Sequence, residues 1–266
     1  IFSDDFKNNL YKKIKTKKIT NYNELKEDVN KWAMYHYWSK TECEMAIGPL
    51  WFNKLEDLEQ FEKIDMYPDI VIACAGGGSN FSGIAFPFVR DKLQGKADTR
   101  IIAAESAACP SLTKGVYAYD YSDVGHMCPI TKMYTLGANF MPSGVHAGGL
   151  RYHGMNPIVS KLYHDGVIEA AAYSQLDTLK AGMAFAQAEG IIPAPESTHA
   201  IKCAMDEALK AKEEGVSKTI VFCLSGNGYF DMYAYEALLA GSLKDSNAPE
   251  IDKNKISLPK IAGLQE

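Results

Sequence analysis

An α/β fold built on a mostly parallel sheet flanked by helices is the class this sequence predicts, on three observations. Apolar runs rich in β-branched residues recur beyond residue 66: DIVIACAGGGSN from Asp69, TRIIAAES from Thr99 and SKTIVFCLSGNGYFD from Ser217. They are continuous rather than alternating, the pattern of strands covered on both faces. Two of the three run straight into glycine-rich loops, and segments of helical spacing lie between them. That succession is the one expected of parallel strands joined by crossover helices.

Taken in order, the chain divides at about residue 66. Residues 1–66 read as helices and connectors, lysine-rich first (YKKIKTKK, 11–18) and acidic later (NKLEDLEQFEKID, 53–65), with Leu55, Leu58 and Phe61 at helical spacing. A short basic run without interleaved aromatics, in an acidic chain, is a solvated helix face. Residues 67–266 form the α/β domain. Within it, QLDTLKAGMAFAQAEG (175–190) and STHAIKCAMDEALKAKEEG (197–215) have helix periodicity. In the second, Ser197 and Thr198 are candidate caps and Ala200, Ile201, Ala204, Met205, Ala208 and Leu209 form one stripe. Gly215 ends it.

With 266 residues, 47% of them hydrophobic, the chain has enough apolar side chain to bury a core in one or two domains. Its net charge of -5 offers nothing to attract nucleic acid or an anionic membrane surface, so a small molecule is the expected partner. No apolar run of about 18 residues is present to span a bilayer, and no charged-then-apolar leader opens the chain. Six cysteines (Cys43, Cys74, Cys109, Cys128, Cys203, Cys223) include no CxxC pair and read as reduced thiols of a cytoplasmic protein. The first residue is Ile1 rather than methionine, which leaves open a piece of a longer chain.

The loop at Gly76, Gly77, Gly78, Ser79 and Asn80 carries the functional signal. Glycines between a buried strand and a helix let the backbone approach a ligand and gather free N–H groups and the helix dipole at one point, which suits an anion. The side chains of Ser79 and Asn80 add donors for phosphate oxygens. Gly77 is expected at positive φ, where a β-branched side chain is excluded. The spacing is neither G-x-G-x-x-G nor a P-loop, and a glycine-rich tight turn is the alternative. A second loop, CLSGNGYFD (223–231), follows another buried strand, so both meet at the carboxyl edge of one sheet. Ser225 there either projects into the crevice or caps the next helix. HAGGLRYHG (146–154) and EGIIPAPESTHA (189–200) are punctuated loops bearing ionisable groups. His126, His146 and His153 have no metal-ligand spacing, so no metal is expected. Glu105, at the end of a strand, is either an acid or a hydrogen-bonding partner of loop amides.

ACAGGGSNFSG, HAGGLRYHG, AEGIIPAPESTHA and LSGNGYFD, in that order, resemble the C-terminal half of the tryptophan synthase beta chain over about residues 68–239. The likeness is strongest to its second type, whose loop reads GLRYHG where the common type has aspartate in place of arginine. The resemblance implies a fold type II enzyme that uses pyridoxal 5'-phosphate to join the three-carbon unit of L-serine to indole, a cytoplasmic lyase of tryptophan biosynthesis. It implies a homodimer at full length, and leaves open whether an alpha-type partner supplies indole. Carried over by position, Gly76, Gly77, Gly78, Ser79 and Asn80 match the cofactor-phosphate cradle and Ser225 the partner of the pyridine nitrogen. Gly149 and Glu196 match positions beside the cofactor ring, and Arg151 replaces the closure aspartate. A neutral hydroxyl at Ser225 leaves the ring nitrogen unprotonated, a weaker electron sink that favours replacement at Cβ over transamination.

The family's Schiff-base lysine, in His-Lys-x-Asn, has no counterpart here, and its carboxylate-binding loop and indole-facing glutamate belong to the N-terminal half. No catalytic residue is therefore assigned, and Lys114 and Lys202 read as surface lysines. The chain is read as half of such an enzyme, without activity on its own. The alternatives are a non-catalytic truncated or diverged remnant, or another fold type II β-replacing enzyme acting on serine or phosphoserine.

Overall fold

A computed structural model describes residues 67–260. The expectations for residues 1–66, the lysine run and Cys43 included, lie outside the described residues. In chain order the elements are β1 (Ile70–Cys74), α1 (Ser79–Leu93), β2 (Arg100–Ser106), α2 (Ser111–Lys114), β3 (Val116–Tyr121) and β4 (Ile130–Thr135), followed by α3 (Pro157–His164), β5 (Glu169–Tyr173), α4 (Gln175–Glu189), α5 (Ser197–Glu214), β6 (Ile220–Phe222) and α6 (Met232–Leu239).

The main sheet has the order β5-β2-β1-β6, and every neighbouring pair is parallel. Side-chain alternation explains why its central strands look uniformly apolar. Val71, Ala73, Ile101 and Ala103 pack against Phe81, Ile84 and Phe88 of α1 and Val159 of α3. Ile70, Ile72, Ile102 and Ala104 face the other way, onto Ala200 and Cys203 of α5. Each face is dry, so both sets of positions are apolar.

Helix α5 departs from the expected stripe. Ala200, Ile201 and Cys203 are buried, whereas Met205 and Leu209 are 40% and 56% exposed. The helix meets the sheet through its first two turns, which leaves the later stripe positions in solvent. Ser197 and Thr198 are not caps either: Glu196 holds the cap position without a side-chain bond. The Ser197 hydroxyl donates to the Ser225 carbonyl at 2.6 Å, and that of Thr198 to Pro195 O at 2.7 Å. Gly215 does end the helix, at φ 69°.

Beside the main sheet, β3 and β4 form an antiparallel hairpin that pairs Val116 with Thr135. The buried Asp120 stabilises it, accepting from the Thr135 hydroxyl at 2.7 Å while that oxygen accepts the Gly137 N–H at 2.9 Å. Helix α3 begins at an Asn-Pro pair, where Asn156 Oδ1 accepts the N–H groups of Ile158 and Val159 at 2.9 and 3.2 Å and Pro157 takes the first helical position. The five cysteines among the described residues are free thiols. No helix among the described residues is long and apolar enough to cross a membrane.

Glu105 takes the hydrogen-bonding role. Fully buried at the end of β2, it accepts from Leu112 N–H at 3.0 Å, Thr113 N–H at 2.9 Å and the Thr113 hydroxyl at 2.5 Å, and so holds α2 onto the sheet. Burial outweighs these donors and pushes its carboxyl from 4.5 up to about 7. Between those two values the folded chain binds more protons than the unfolded one, so the contribution is complete below pH 4.5 and is lost as pH rises through about 7. Its size is on the order of 3 kcal/mol. Glu105→Gln is expected to lower stability overall, because an NH2 then faces an amide donor, and to remove this slope. Denaturant midpoints measured from pH 4 to 8 check it, and an unchanged slope would dissociate Glu105 from the pH dependence.

Candidate cofactor site

Because β1 and β6 pair in register, with the Cys223 N–H on Ile72 O at 2.9 Å, the loops leaving their carboxyl ends emerge side by side. With segment 146–156 they enclose a cleft of about 460 Å3. Gly76, Gly77, Gly78, Ser79, Asn80, Gly149, Glu196 and Ser225 all line it. Arg151 does not: its guanidinium donates to the Pro142 carbonyl at 3.0 Å, on the exposed side of its loop.

The three glycines are required for different reasons. A Cβ on Gly76 would overlap the Gly149 carbonyl oxygen and lie 2.9 Å from Leu150 Cα. On Gly77 it would lie 3.5 Å from the ring of Tyr152, an ordinary contact. Positive φ, expected of Gly77, falls instead on Gly78, at 104°, where a Cβ would also meet Asn156 Cβ at 2.7 Å. The chain reverses at that point because Gly78 is the residue from which α1 starts. The Gly78 carbonyl accepts from Ser82 N–H at 2.9 Å and from its hydroxyl at 2.8 Å, closing the first turn. The N–H groups of Gly78, Ser79 and Asn80 donate to no backbone carbonyl among the described residues, so the helix start offers free donors and its positive dipole end.

The side chain of Asn80 reaches the other end of the cleft. Its Nδ2 donates to Ser225 Oγ at 2.8 Å and its Oδ1 accepts from the Cys74 thiol at 3.3 Å. Ser225 does not cap α6, whose cap position is Asp231. Its N–H donates to Ser197 Oγ at 3.0 Å, and the two hydroxyls lie 3.1 Å apart. Ser197 is fully buried, so the Ser225 loop is fixed from behind.

Segment 146–156 forms the opposite wall and is held along its length. Glu196 Oε1 accepts the Gly149 N–H at 2.9 Å, and the Asn156 N–H donates to Gly77 O at 2.9 Å. The Cys109 thiol, pushed up to about 12 by burial, donates to Tyr152 O at 2.8 Å. The histidines have separate duties: His153 Nε2 meets Tyr121 O at 2.8 Å, His126 stacks on Tyr121 at 4.2 Å, and His146 lies edge-on to Tyr233 at 4.9 Å. Three residues of consequence were not singled out from the sequence as site residues, namely Tyr152, Asn156 and Ser197. An Asn-Pro pair before a helical run could have flagged Asn156; the other two depend on contacts between segments distant in sequence.

Among the described residues, no lysine lines the cleft. Lys202 pairs with Asp206 and lies over the Tyr173 ring at 5.8 Å, and Lys114 is the last residue of α2.

A parallel sheet whose carboxyl edge presents a glycine loop, a helix N-terminus and a strand-end serine to one cleft is the architecture of a cofactor-binding α/β enzyme. The family model described as pyridoxal-phosphate dependent enzyme matches residues 41–226, and the chain belongs to that family. It is 53% identical over 186 residues to tryptophan synthase beta chain 2 of Methanosarcina mazei, covering 70% of this chain and 42% of the relative. To the protein of the same name from Aquifex aeolicus it is 55% identical over 194 residues, 72% of this chain and 45% of the relative. The chain thus spans less than half the length of these curated relatives. A crystal structure of a threonine deaminase from T.th. is similar at a TM-score of 0.47 with 17% identity, covering 65% of this chain and 54% of that one.

The residues present fit the family's cofactor, pyridoxal 5'-phosphate. A phosphate dianion needs several donors and tolerates little side-chain bulk. Unpaired amides at the start of α1, beside a Gly77 without a Cβ, meet both needs. At the far end, a neutral hydroxyl suits an aromatic nitrogen.

Proposed function

We propose that this chain is the phosphate-side half of a tryptophan synthase beta-type active site, the whole of which replaces the hydroxyl of L-serine with indole. The observation that carries it is the union, in one cleft, of the glycine loop, Glu196 and Ser225 on a chain that is 53% and 55% identical, over 186 and 194 aligned residues, to two tryptophan synthase beta chains. When bound, pyridoxal 5'-phosphate supplies an electron sink conjugated to the substrate's amino group. This chain's residues bind and orient it. The amides of Gly78, Ser79 and Asn80 hold the phosphate against the helix dipole, and Gly77 leaves room for it. Ser225 would meet the ring nitrogen with a neutral hydroxyl that accepts a hydrogen bond from Asn80, while the Glu196 carboxylate of the same cleft is engaged with the Gly149 N–H. Glu196, through the Gly149 N–H, keeps the facing wall in place. The reading extends to a homodimeric, cytoplasmic enzyme at full length.

Titration of the chain with pyridoxal 5'-phosphate and with pyridoxal tests the half-site. The phosphorylated form is expected to bind at least about tenfold more tightly, since charge-assisted bonds to its oxygens are worth about 1.5–3 kcal/mol each. Inorganic phosphate should compete with it. Equal affinity for the two forms would remove the phosphate role from the glycine loop.

A further inference from the structure

Residues 244–257, which follow α6, line no part of the cleft, yet they are tied to it. Segment 244–257 touches three connections at the carboxyl ends of strands. The Ala248 N–H donates to Ala107 O, just past β2, at 2.7 Å. Asp245 Oδ1 accepts the Leu176 N–H at the start of α4 at 2.9 Å. Past β4, a Cβ on Gly137 would lie 3.2 Å from both Ile256 Cγ2 and Ser257 O.

Gln175 joins this tail to the cleft. Its side chain is buried, with the residue 8% exposed. Nε2 donates to Lys244 O at 2.9 Å, and Oε1 accepts the His146 N–H at 2.9 Å. A carbonyl only accepts and an amide N–H only donates, so these two partners fix which way round the side-chain amide lies. His146 is the first residue of segment 146–156, whose Gly149 carbonyl rests against Gly76 and whose Tyr152 ring faces Gly77. If the tail leaves, a buried NH2 loses its acceptor. With that acceptor gone the side-chain amide is free to turn, and its bond from the His146 N–H is no longer braced from the other end.

We infer that Gln175 is a positioning residue through which segment 244–257, the tail of the described residues, sets the cleft's affinity for a phosphate monoester. The inference rests on the phosphate reading of the cleft. Coupling of this kind is reciprocal, so a ligand in the cleft must also hold the tail more firmly.

A double-mutant cycle on the whole chain tests it, with pyridoxal 5'-phosphate as the probe and inorganic phosphate as the competitor. Asp245→Ala, which removes one of the tail's attachments without shortening the chain, and Gln175→Met, close in volume, are each expected to weaken binding, Gln175→Met by about fivefold to tenfold and Asp245→Ala by less. The double variant should bind no more weakly than the weaker single variant, because both interrupt one connection. Amide hydrogen exchange supplies a readout that a general loss of stability does not move. The probe should slow exchange of the Ala248 N–H in the wild-type chain and not in Gln175→Met, while β1 amides exchange alike in both. Additive losses, or protection of Ala248 that survives Gln175→Met, would overturn the coupling and leave the phosphate reading standing. A wild-type chain that binds neither probe nor phosphate would overturn both.

Discussion

Alanine at Gly76 is expected to destabilise the chain by about 3 kcal/mol and to abolish binding of pyridoxal 5'-phosphate, because overpacking against backbone cannot be relieved by a rotamer change. The methyl group would overlap the Gly149 carbonyl oxygen and crowd Leu150 Cα. Neither atom belongs to a flexible side chain. Gly149 is itself anchored by Glu196, and the segment is pinned again where the Asn156 N–H meets Gly77 O, so relief requires moving the whole wall of the cleft. Gly77→Val separates packing from binding. Its Cβ would make an ordinary contact with the Tyr152 ring, so the fold should lose no more than about 1 kcal/mol. Affinity for the phosphate should nevertheless fall by about 1–3 kcal/mol as the side chain fills the space over the amides. Denaturant unfolding and cofactor titration on both variants check this. Equal stability losses at the two positions would mean that the wall adapts and that the contact at Gly76 is not rigid.

What was legible in the sequence follows from how far apart the determining contacts lie. The strands β1, β2 and β6 announce themselves through continuous apolar runs: β1 and β2 are covered on both faces, so their central residues are apolar whichever way they point, and half-buried β6 keeps the β-branched Ile220 and Val221. The edge strand β5, EAAAY, is only half-buried and has no β-branched residue, so nothing local marks it. The β3 and β4 hairpin depends on a bond between Asp120 and Thr135 across fifteen residues, which no local pattern announces. Eight of the nine expected cofactor or closure residues line the cleft because they sit at the ends of adjacent strands or on the segments facing them. What sequence could not show is which atom each uses. Asn80 has a carboxamide suited to phosphate, yet its side chain goes to Ser225, since the register of β1 on β6 brings that hydroxyl within 2.8 Å. Ser197 looks like a helix cap and is instead the support behind Ser225, a contact across 28 residues. Arg151 sits within a motif whose neighbours line the cleft, but its side chain leaves on the far side.

The expected chemistry of the chain alone is binding without turnover. A pyridoxal-phosphate enzyme needs a phosphate cradle, a partner for the ring nitrogen and an amine that joins the cofactor's aldehyde covalently. The cleft holds candidates for the first two and, among the described residues, no lysine in its lining. The two lysines considered from the sequence are otherwise placed: Lys202 is paired with Asp206 and covers Tyr173, and Lys114 closes α2 beyond the cleft lining. The helices that carry them are held in place by the packing of α5 on β1 and of α2 on Glu105. Borohydride treatment of the chain with bound pyridoxal 5'-phosphate, followed by peptide mapping, should therefore label no single lysine stoichiometrically, and serine with indole should give no tryptophan. Surface lysines react with free aldehyde slowly and at many sites, so scattered substoichiometric labelling is consistent with this outcome. One lysine labelled to completion, together with tryptophan formation, would show that the chain carries its own covalent anchor and is a whole active site rather than one wall of it.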